Sequence, residues 1–206
     1  MDAAISFKIF LYVIIIASAI FHEYFHGWAA FKLGDPTAKY AGRLTLNPIK
    51  HIDPLGTILV PFLMLFFFGG FIGWAKPVPY NPYNLQDRKY GSTKVALAGP
   101  LANLLIALVF GLILRFLPVG GFLYFSFSWI TYINIFLALF NLIPVPPLDG
   151  SKLIMDLFPG SGTMRFLEQS FVGIFLALAL ATTFLPRLVS LFYYLFVGNH
   201  FLGLTF

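Results

Sequence analysis

The chain begins with an apolar run that is long enough to cross a lipid bilayer. It extends from Ala3 to Phe21, and a helix needs about 20 such residues to cross the hydrocarbon core. The rest of the chain is similar, because 59% of all residues are hydrophobic and only 10% are charged. Soluble domains are far more polar. We therefore expect an all-α polytopic membrane protein in which residues 1–206 form a single domain.

Further apolar segments follow the first and have about the same length. Connectors containing proline and glycine separate them. If the last two segments cross separately, the chain has about five transmembrane helices and one additional or re-entrant membrane segment. The segments are Leu55 to Trp74, Val95 to Leu117, Phe122 to Ile143, Thr163 to Leu185 and Leu188 to Leu204.

The basic residues predict how the helices are oriented in the cell membrane. Lys8, Arg115 and Arg187 fall on one side of the expected bundle, and the other ten of the 13 basic residues fall on the opposite side. Cytoplasmic loops carry the excess of lysine and arginine, so we expect the larger group in the cytoplasm and the N-terminus outside. These residues are scattered singly, so the net charge of +5 indicates membrane orientation and no nucleic-acid partner.

The segment Leu55 to Trp74 conflicts with this orientation if it crosses the membrane once. Basic loops flank it on both sides, so both flanks are predicted to be cytoplasmic. Its helix-breaking residues, Pro61, Gly69, Gly70 and Gly73, suit a hairpin that enters the membrane and returns. We expect a re-entrant segment, and an ordinary crossing with one misassigned loop is the alternative.

The stretch from Thr37 to Leu46 alternates apolar and polar residues. Such alternation is typical of a half-buried strand, and Gly42 in the middle suits a turn. We expect a short β-hairpin or edge strand here, close to the membrane.

The first apolar run ends in the motif His22-Glu23-Tyr24-Phe25-His26. Histidines four residues apart lie on one face of a helix and can share a Zn²⁺ ion, while the adjacent glutamate can act as general base. Burying three ionisable side chains at the end of an apolar helix is costly without a function. A helix-packing pair of histidines with a chance glutamate is the alternative.

A catalytic zinc site needs a third protein ligand and one open position for water. The chain has no cysteine, so that ligand must be His, Asp or Glu. Asp149 is the leading candidate, because it follows the Phe122 to Ile143 segment and is expected at the same depth as the two histidines. The segment Pro144 to Gly150 also suits an ordinary turn, and on this motif alone the turn is the favoured interpretation.

Three motifs occur along the chain: His22 to His26, Gly99-Pro100-Leu101-Ala102-Asn103, and Asn141 to Gly150. Together and in this order they resemble the site-2 protease family of intramembrane zinc metalloproteases. The resemblance extends to about Lys152 and is greatest to short members without PDZ or CBS domains. It implies a catalytic core over residues 1–152 and additional transmembrane helices over residues 163–206.

This resemblance implies an activity and a set of site residues. The activity is hydrolysis of peptide bonds in or near transmembrane segments of protein substrates, with one Zn²⁺ per chain near the cytoplasmic side of the bilayer. Glu23 would be the general base, Asn141 would lie near the reacting carbonyl, and Gly99 and Asn103 would contact substrate. For Asn103 a purely structural role is equally open. The zinc ligands would be His22, His26 and Asp149.

A helical substrate hides its carbonyl groups in its own hydrogen bonds, so the scissile region is expected to unwind. The edge strand predicted at Thr37 to Leu46 would then hold the substrate extended by strand addition. The re-entrant segment would gate lateral entry of the substrate, with Gly69 and Gly70 as hinges.

His51 and Asp53 lie in a turn-rich segment and have several possible roles. Capping of the re-entrant segment is the favoured one, and a second metal site or a regulatory block of the zinc site is the alternative.

A zinc transporter would show an internal repeat and a polar path through several helices, neither of which is evident. A structural metal site would need a fourth protein ligand, for which His51 is the candidate.

Overall fold

The computed structural model describes residues 3–67 and 75–198 of the chain. Within these residues the protein is helical and has no β-strand. Four of the helices, α1, α4, α5 and α8, are long and apolar enough to cross a membrane, which confirms a helical membrane protein. The helices are α1 (Ala3–Lys32), α2 (Thr37–Tyr40), α3 (Val60–Phe67), α4 (Gly91–Leu114), α5 (Gly121–Asn141), α6 (Gly150–Leu157), α7 (Gly162–Gln169) and α8 (Val172–Val197).

Helix α4 packs against α1, α5, α6 and α8. Small residues allow the close approach of helices that membrane packing requires. A Cβ atom on Gly111 would lie 2.8 Å from the Cβ of Phe196 in α8, so only glycine fits at that crossing. Ala107 and Ala181 are buried in the same core, whereas many large apolar side chains, such as Phe175, are exposed and suit contact with lipid.

Hydrogen bonds between helix ends define the two ends of the bundle. Arg115, just after α4, donates from Nε to the carbonyl of Phe196 at 2.8 Å, so α4 and α8 end together. At the opposite end, the backbone N–H of Gln86 donates to the carbonyl of Leu33 at 2.8 Å. The end of α1 therefore lies beside the start of α4.

The predicted last pair of crossings is a single helix, α8, which continues through Pro186. Proline removes one backbone hydrogen bond, but membrane helices tolerate this because their side chains and neighbours satisfy the freed groups. The division into Thr163 to Leu185 and Leu188 to Leu204 was wrong over the described residues. The part of the second segment beyond residue 198 lies outside them.

The β-hairpin or edge strand predicted for Thr37 to Leu46 is also wrong. Helix α2 begins this stretch, and a turn follows with Gly42 at a φ of +65°. Asp35 accepts a hydrogen bond from the backbone N–H of Thr37 at 3.2 Å, and Ala38 is fully buried against α1. Local capping and this contact with α1 therefore outweigh the alternating pattern.

The segment predicted to be re-entrant has its two flanks side by side. The N–H of Lys76 donates to the carbonyl of His51 at 3.0 Å. Between them lie a helical segment over Pro54–Leu59 and then α3, which follows it directly and has Pro61 as its second residue. The predicted hinges Gly69 and Gly70, and also Gly73, lie outside the described residues.

Asp35 connects the end of α1 to the loop before α4. Its carboxylate is fully buried and accepts hydrogen bonds from Thr37 Oγ1 at 2.5 Å, the Asn81 N–H at 2.6 Å and Asn84 Nδ2 at 2.8 Å. Burial alone would raise the pKa of Asp35, but these hydrogen bonds outweigh it and lower the pKa below its ordinary value.

Replacing Asp35 by alanine is expected to destabilise the fold by about 2 to 3 kcal/mol, because buried donors lose a charged acceptor. The wild-type protein should also lose stability as the pH falls from 3.8, the ordinary pKa of an aspartate, toward the lower pKa that Asp35 has in the folded protein. A carboxylate whose pKa is lowered by folding stabilises the fold only while it is ionised. Thermal unfolding in detergent measures both effects. Asp87→Ala removes a half-buried surface carboxylate that pairs with Lys94 and caps a turn, and it should shift the unfolding temperature much less.

Candidate metal centre

Three side chains with metal-binding atoms converge between the second half of α1 and the turn that follows α5, beside α4. Nε2 of His22 lies 3.0 Å from Oδ2 of Asp149, and Nε2 of His26 lies 3.2 Å from the same oxygen. Both histidines lie on α1, one turn apart. Over the part of the chain that the structure describes, these residues form the one group of three potential ligands close enough to share an ion.

Asp149 reaches the histidines because the chain folds back tightly after α5. A Cβ atom on Gly150 would lie 2.2 Å from the carbonyl oxygen of Leu142, so the turn requires glycine. Ser151 Oγ donates to the carbonyl of Leu148 at 2.6 Å and steadies the start of α6. The turn predicted from this sequence and a ligand role are therefore compatible, since the turn places the carboxylate.

The opposite edge of each histidine ring is held by the protein. Nδ1 of His26 bonds the carbonyl oxygen of Val95 at 2.7 Å. A carbonyl only accepts, so Nδ1 carries a proton, and Nε2, which faces Asp149, is the ring nitrogen left to bind a metal. Nδ1 of His22 bonds Oδ1 of Asn103 at 2.6 Å. Hydrogen bonds of this kind orient histidine ligands in metal sites.

The distances and the chemistry of this donor set fit a zinc ion. Ligand atoms about 2.0 Å from a tetrahedral zinc are about 3.3 Å apart, close to the observed 3.0 and 3.2 Å. Burial alone would raise the pKa of Asp149, but the hydrogen bonds from His22 and His26 outweigh it and lower the pKa to about 2. The site therefore presents an ionised carboxylate and imidazole nitrogens, which are ordinary zinc ligands.

Glu23 is held by a backbone group from a distant part of the chain. Its Oε2 accepts a hydrogen bond from the N–H of Val78 at 2.7 Å. Val78 belongs to the irregular segment 75–81, which packs on α1 so closely that a Cβ atom on Gly27 would lie 2.9 Å from Val78 Cγ1. Sequence analysis missed this contact, because a backbone donor leaves no signal in the residue types.

The other predicted site residues have different surroundings. Asn141 ends α5, and its Nδ2 donates to the carbonyl of Leu137 at 2.8 Å. His51 is buried with Nε2 2.7 Å from the carbonyl of Thr45. Asp53 caps the following turn by accepting from the N–H groups of residues 55 and 56. In the described structure neither His51 nor Asp53 belongs to the group of three ligands.

Gly99 is the residue of α4 that lies against the two histidines. A Cβ atom added there would lie 2.5 Å from Nε2 of His26 and 2.6 Å from Nε2 of His22. Any side chain would therefore press on the two nitrogen atoms proposed to bind metal. The substrate contact of Gly99 stays a prediction, and the absence of a side chain at this position leaves room for the site.

Replacing Gly99 by alanine is expected to weaken zinc binding tenfold or more, in the range seen when histidine ligands lose their orientation. Metal analysis of the purified protein after dialysis against a chelator measures this. Gly162→Ala is the matched control, since a Cβ atom there meets nothing within 4 Å. Unchanged zinc affinity in Gly99→Ala would contradict the assignment of these two nitrogens as ligands.

An apolar groove of about 290 Å³ lies along α1. Its large apolar lining residues Val13, Phe21 and Leu46 are exposed on the surface that suits lipid contact. The groove is lined by Tyr12, Val13, Ile16, Ala17, Ile20, Phe21, Leu46 and Pro48.

Comparisons with known proteins agree with this site. The profile of peptidase family M50 matches residues 10–124 and 120–186. A Bacillus subtilis protein provisionally named zinc metalloprotease YwhC is 39% identical over 184 residues, which cover 84% of this chain and 80% of the relative. A Methanocaldococcus jannaschii protein provisionally named zinc metalloprotease MJ0611 is 32% identical over 157 residues, covering 72% and 73%. Solved structures give no significant match.

The chain therefore belongs to peptidase family M50, the site-2 protease family. Its function is that of an intramembrane zinc metalloprotease, and its cofactor is Zn²⁺. The resemblance, the enzyme class and the cofactor predicted from the sequence are confirmed. A zinc transporter or a non-catalytic metal protein is not favoured.

Proposed function

We propose that His22, His26 and Asp149 bind one Zn²⁺ per chain and that Glu23 is the general base of the protease. The convergence of two Nε2 atoms on Asp149 Oδ2, at 3.0 and 3.2 Å, carries this proposal. The hydrogen bonds that hold both rings through Nδ1 support a site built for a metal and not merely an ion pair.

When bound, the zinc ion acidifies a water molecule and polarises the substrate carbonyl. Glu23 takes the proton of the attacking water and later delivers it to the leaving amine. The Val78 N–H donates a hydrogen bond to Oε2 of Glu23, so we assign Oε1 as the oxygen that accepts and delivers the proton. Asn141, at the end of α5 and before the turn that carries Asp149, is proposed to stabilise the reacting carbonyl.

The proposed substrate is a transmembrane segment of another protein. The apolar groove beside α1 has exposed lining residues and includes Phe21, which is next in sequence to the proposed ligand His22, and this supports entry from the bilayer. The contact between Lys76 and His51 supports a re-entrant segment between them. The predominance of basic residues in the loops at this end of the bundle supports a cytoplasmic position of the site and an external N-terminus.

Reconstituted protein tests this function with a single-span peptide in vesicles. A peptide whose apolar segment contains helix-breaking residues should be cut within or beside that segment, and a chelator should stop cleavage until Zn²⁺ is restored. A matched leucine-rich peptide without breakers should be cut much more slowly, because its helix must unwind. Zinc binding without cleavage of either peptide would contradict the proposed site and favour a metal-binding or transport role.

A further inference from the structure

A row of buried polar side chains lies behind His22, between α1, α4 and α5. Asn103 and Asn134 are fully buried, and Ser18 is 5% exposed. Asn103 contacts His22, and Asn134 contacts both Asn103 and Ser18. Buried polar groups of this kind are costly unless every donor and acceptor is matched.

The hydrogen bonds of Asn134 fix the orientation of its amide. Its Nδ2 lies 2.8 Å from the carbonyl oxygen of Ile130 and 2.9 Å from Oγ of Ser18. A backbone carbonyl only accepts, so the amino group of Asn134 must face Ile130. Oδ1 of Asn134 must therefore face Asn103, at 2.8 Å from Asn103 Nδ2.

The orientation of the Asn134 amide determines the orientation of the Asn103 amide, which contacts His22. Nδ2 of Asn103 donates to Asn134 Oδ1 and to the backbone carbonyl of Ser18 at 3.3 Å. Oδ1 of Asn103 is left for Nδ1 of His22, at 2.6 Å. Because that oxygen only accepts, Nδ1 of His22 must carry a proton, and Nε2, which faces Asp149, is the ring nitrogen left to bind a metal.

We propose that Asn134 and Ser18 are positioning residues of the metal site, acting through Asn103. They hold the Asn103 amide in the orientation that selects the zinc-binding tautomer of His22. Without Asn134, the Asn103 amide keeps only the longer bond of 3.3 Å to the Ser18 carbonyl. It then rotates more readily to present Nδ2 to the ring, which stabilises the tautomer whose Nε2 is protonated and unable to bind zinc. This inference rests on the proposed function, since His22 must be a zinc ligand. Asn103 is then a buried orienting group and not a substrate contact.

Substitution of Asn134 by leucine tests this role through metal affinity. The zinc dissociation constant of the full-length protein, measured by competition with a chromogenic chelator, should rise by about ten- to a hundredfold. Cleavage should recover to near the wild-type rate once zinc is saturating, because the loss lies in metal binding and not in chemistry. Ser18→Ala leaves Asn134 its bond to Ile130 and should produce a smaller shift in the same direction.

Thr131→Val is the matched control for packing. Thr131 lies on α5 less than one turn from Asn134 and is fully buried, and its hydroxyl has no hydrogen-bond partner among the described residues. It should keep wild-type zinc affinity. Equal weakening in Thr131→Val and Asn134→Leu would attribute the effect to packing and overturn the proposal, as would wild-type affinity in both Asn134→Leu and Ser18→Ala. If His22→Ala retains wild-type zinc affinity, the proposed zinc site itself is wrong.

Discussion

Replacing Glu23 by glutamine is expected to reduce peptide cleavage by about a thousandfold while leaving the zinc content unchanged. A positioned general base contributes about 10²- to 10⁴-fold to a reaction of this type, and glutamine cannot accept the proton. The substitution preserves the local structure, because the glutamine amide oxygen can still accept the hydrogen bond from the Val78 N–H. Cleavage of a membrane peptide and metal analysis of the same preparation measure the two quantities.

Glu168→Gln is the matched control for this experiment. Its carboxylate lies on α7, is exposed, and pairs with Lys152 at 3.1 Å, away from the group of three ligands. Such surface pairs contribute little, so activity and zinc content should match the wild type. If Glu23→Gln kept a tenth or more of the wild-type rate, another group would have to be the base. A loss of zinc together with activity would assign Glu23 to metal binding.

The proposed histidine ligands could be predicted from the sequence because their relation is local. His22 and His26 share a face of any helix that contains them, whatever surrounds it. Asp149 is 127 residues from His22, and its proximity was inferred from the parallel direction of two apolar segments. That inference required only the order of the segments and the direction in which each crosses the membrane. Composition indicates the order, and the distribution of basic residues indicates the direction.

Contacts that position the site residues could not be predicted from residue types. The Val78 N–H is a backbone donor, and Asn134 is one of several polar residues along α5, with no motif around it that distinguishes it from the others. Their roles depend on which helix faces lie against each other. Predictions from sequence patterns also failed at two places where tertiary contacts determine the structure. One is Pro186, which lies within α8, and the other is Thr37 to Leu46, which folds as α2 and a turn.

Replacing Asp149 by alanine is expected to weaken zinc binding by more than about a hundredfold. The change removes the oxygen on which both Nε2 atoms converge, and losing a direct ligand should cost more than the ten- to hundredfold typical of an outer hydrogen-bond partner. The two histidines then form an incomplete site. The zinc dissociation constant and the zinc content after purification measure the loss, and cleavage should fall with them.

Asp156→Ala is the control that separates ligand loss from damage to α6. The Asp156 carboxylate accepts from the Thr93 N–H at 2.9 Å and from Thr93 Oγ1 at 2.7 Å, joining α6 to the start of α4. Its removal should lower the unfolding temperature in detergent, since buried donors lose their acceptor, but leave zinc affinity near that of the wild type. Asp149→Ala should lose zinc affinity, whereas its metal-free unfolding temperature should fall less than that of Asp156→Ala. Full zinc retention in Asp149→Ala would exclude Asp149 as a ligand, and the third ligand would have to come from another residue.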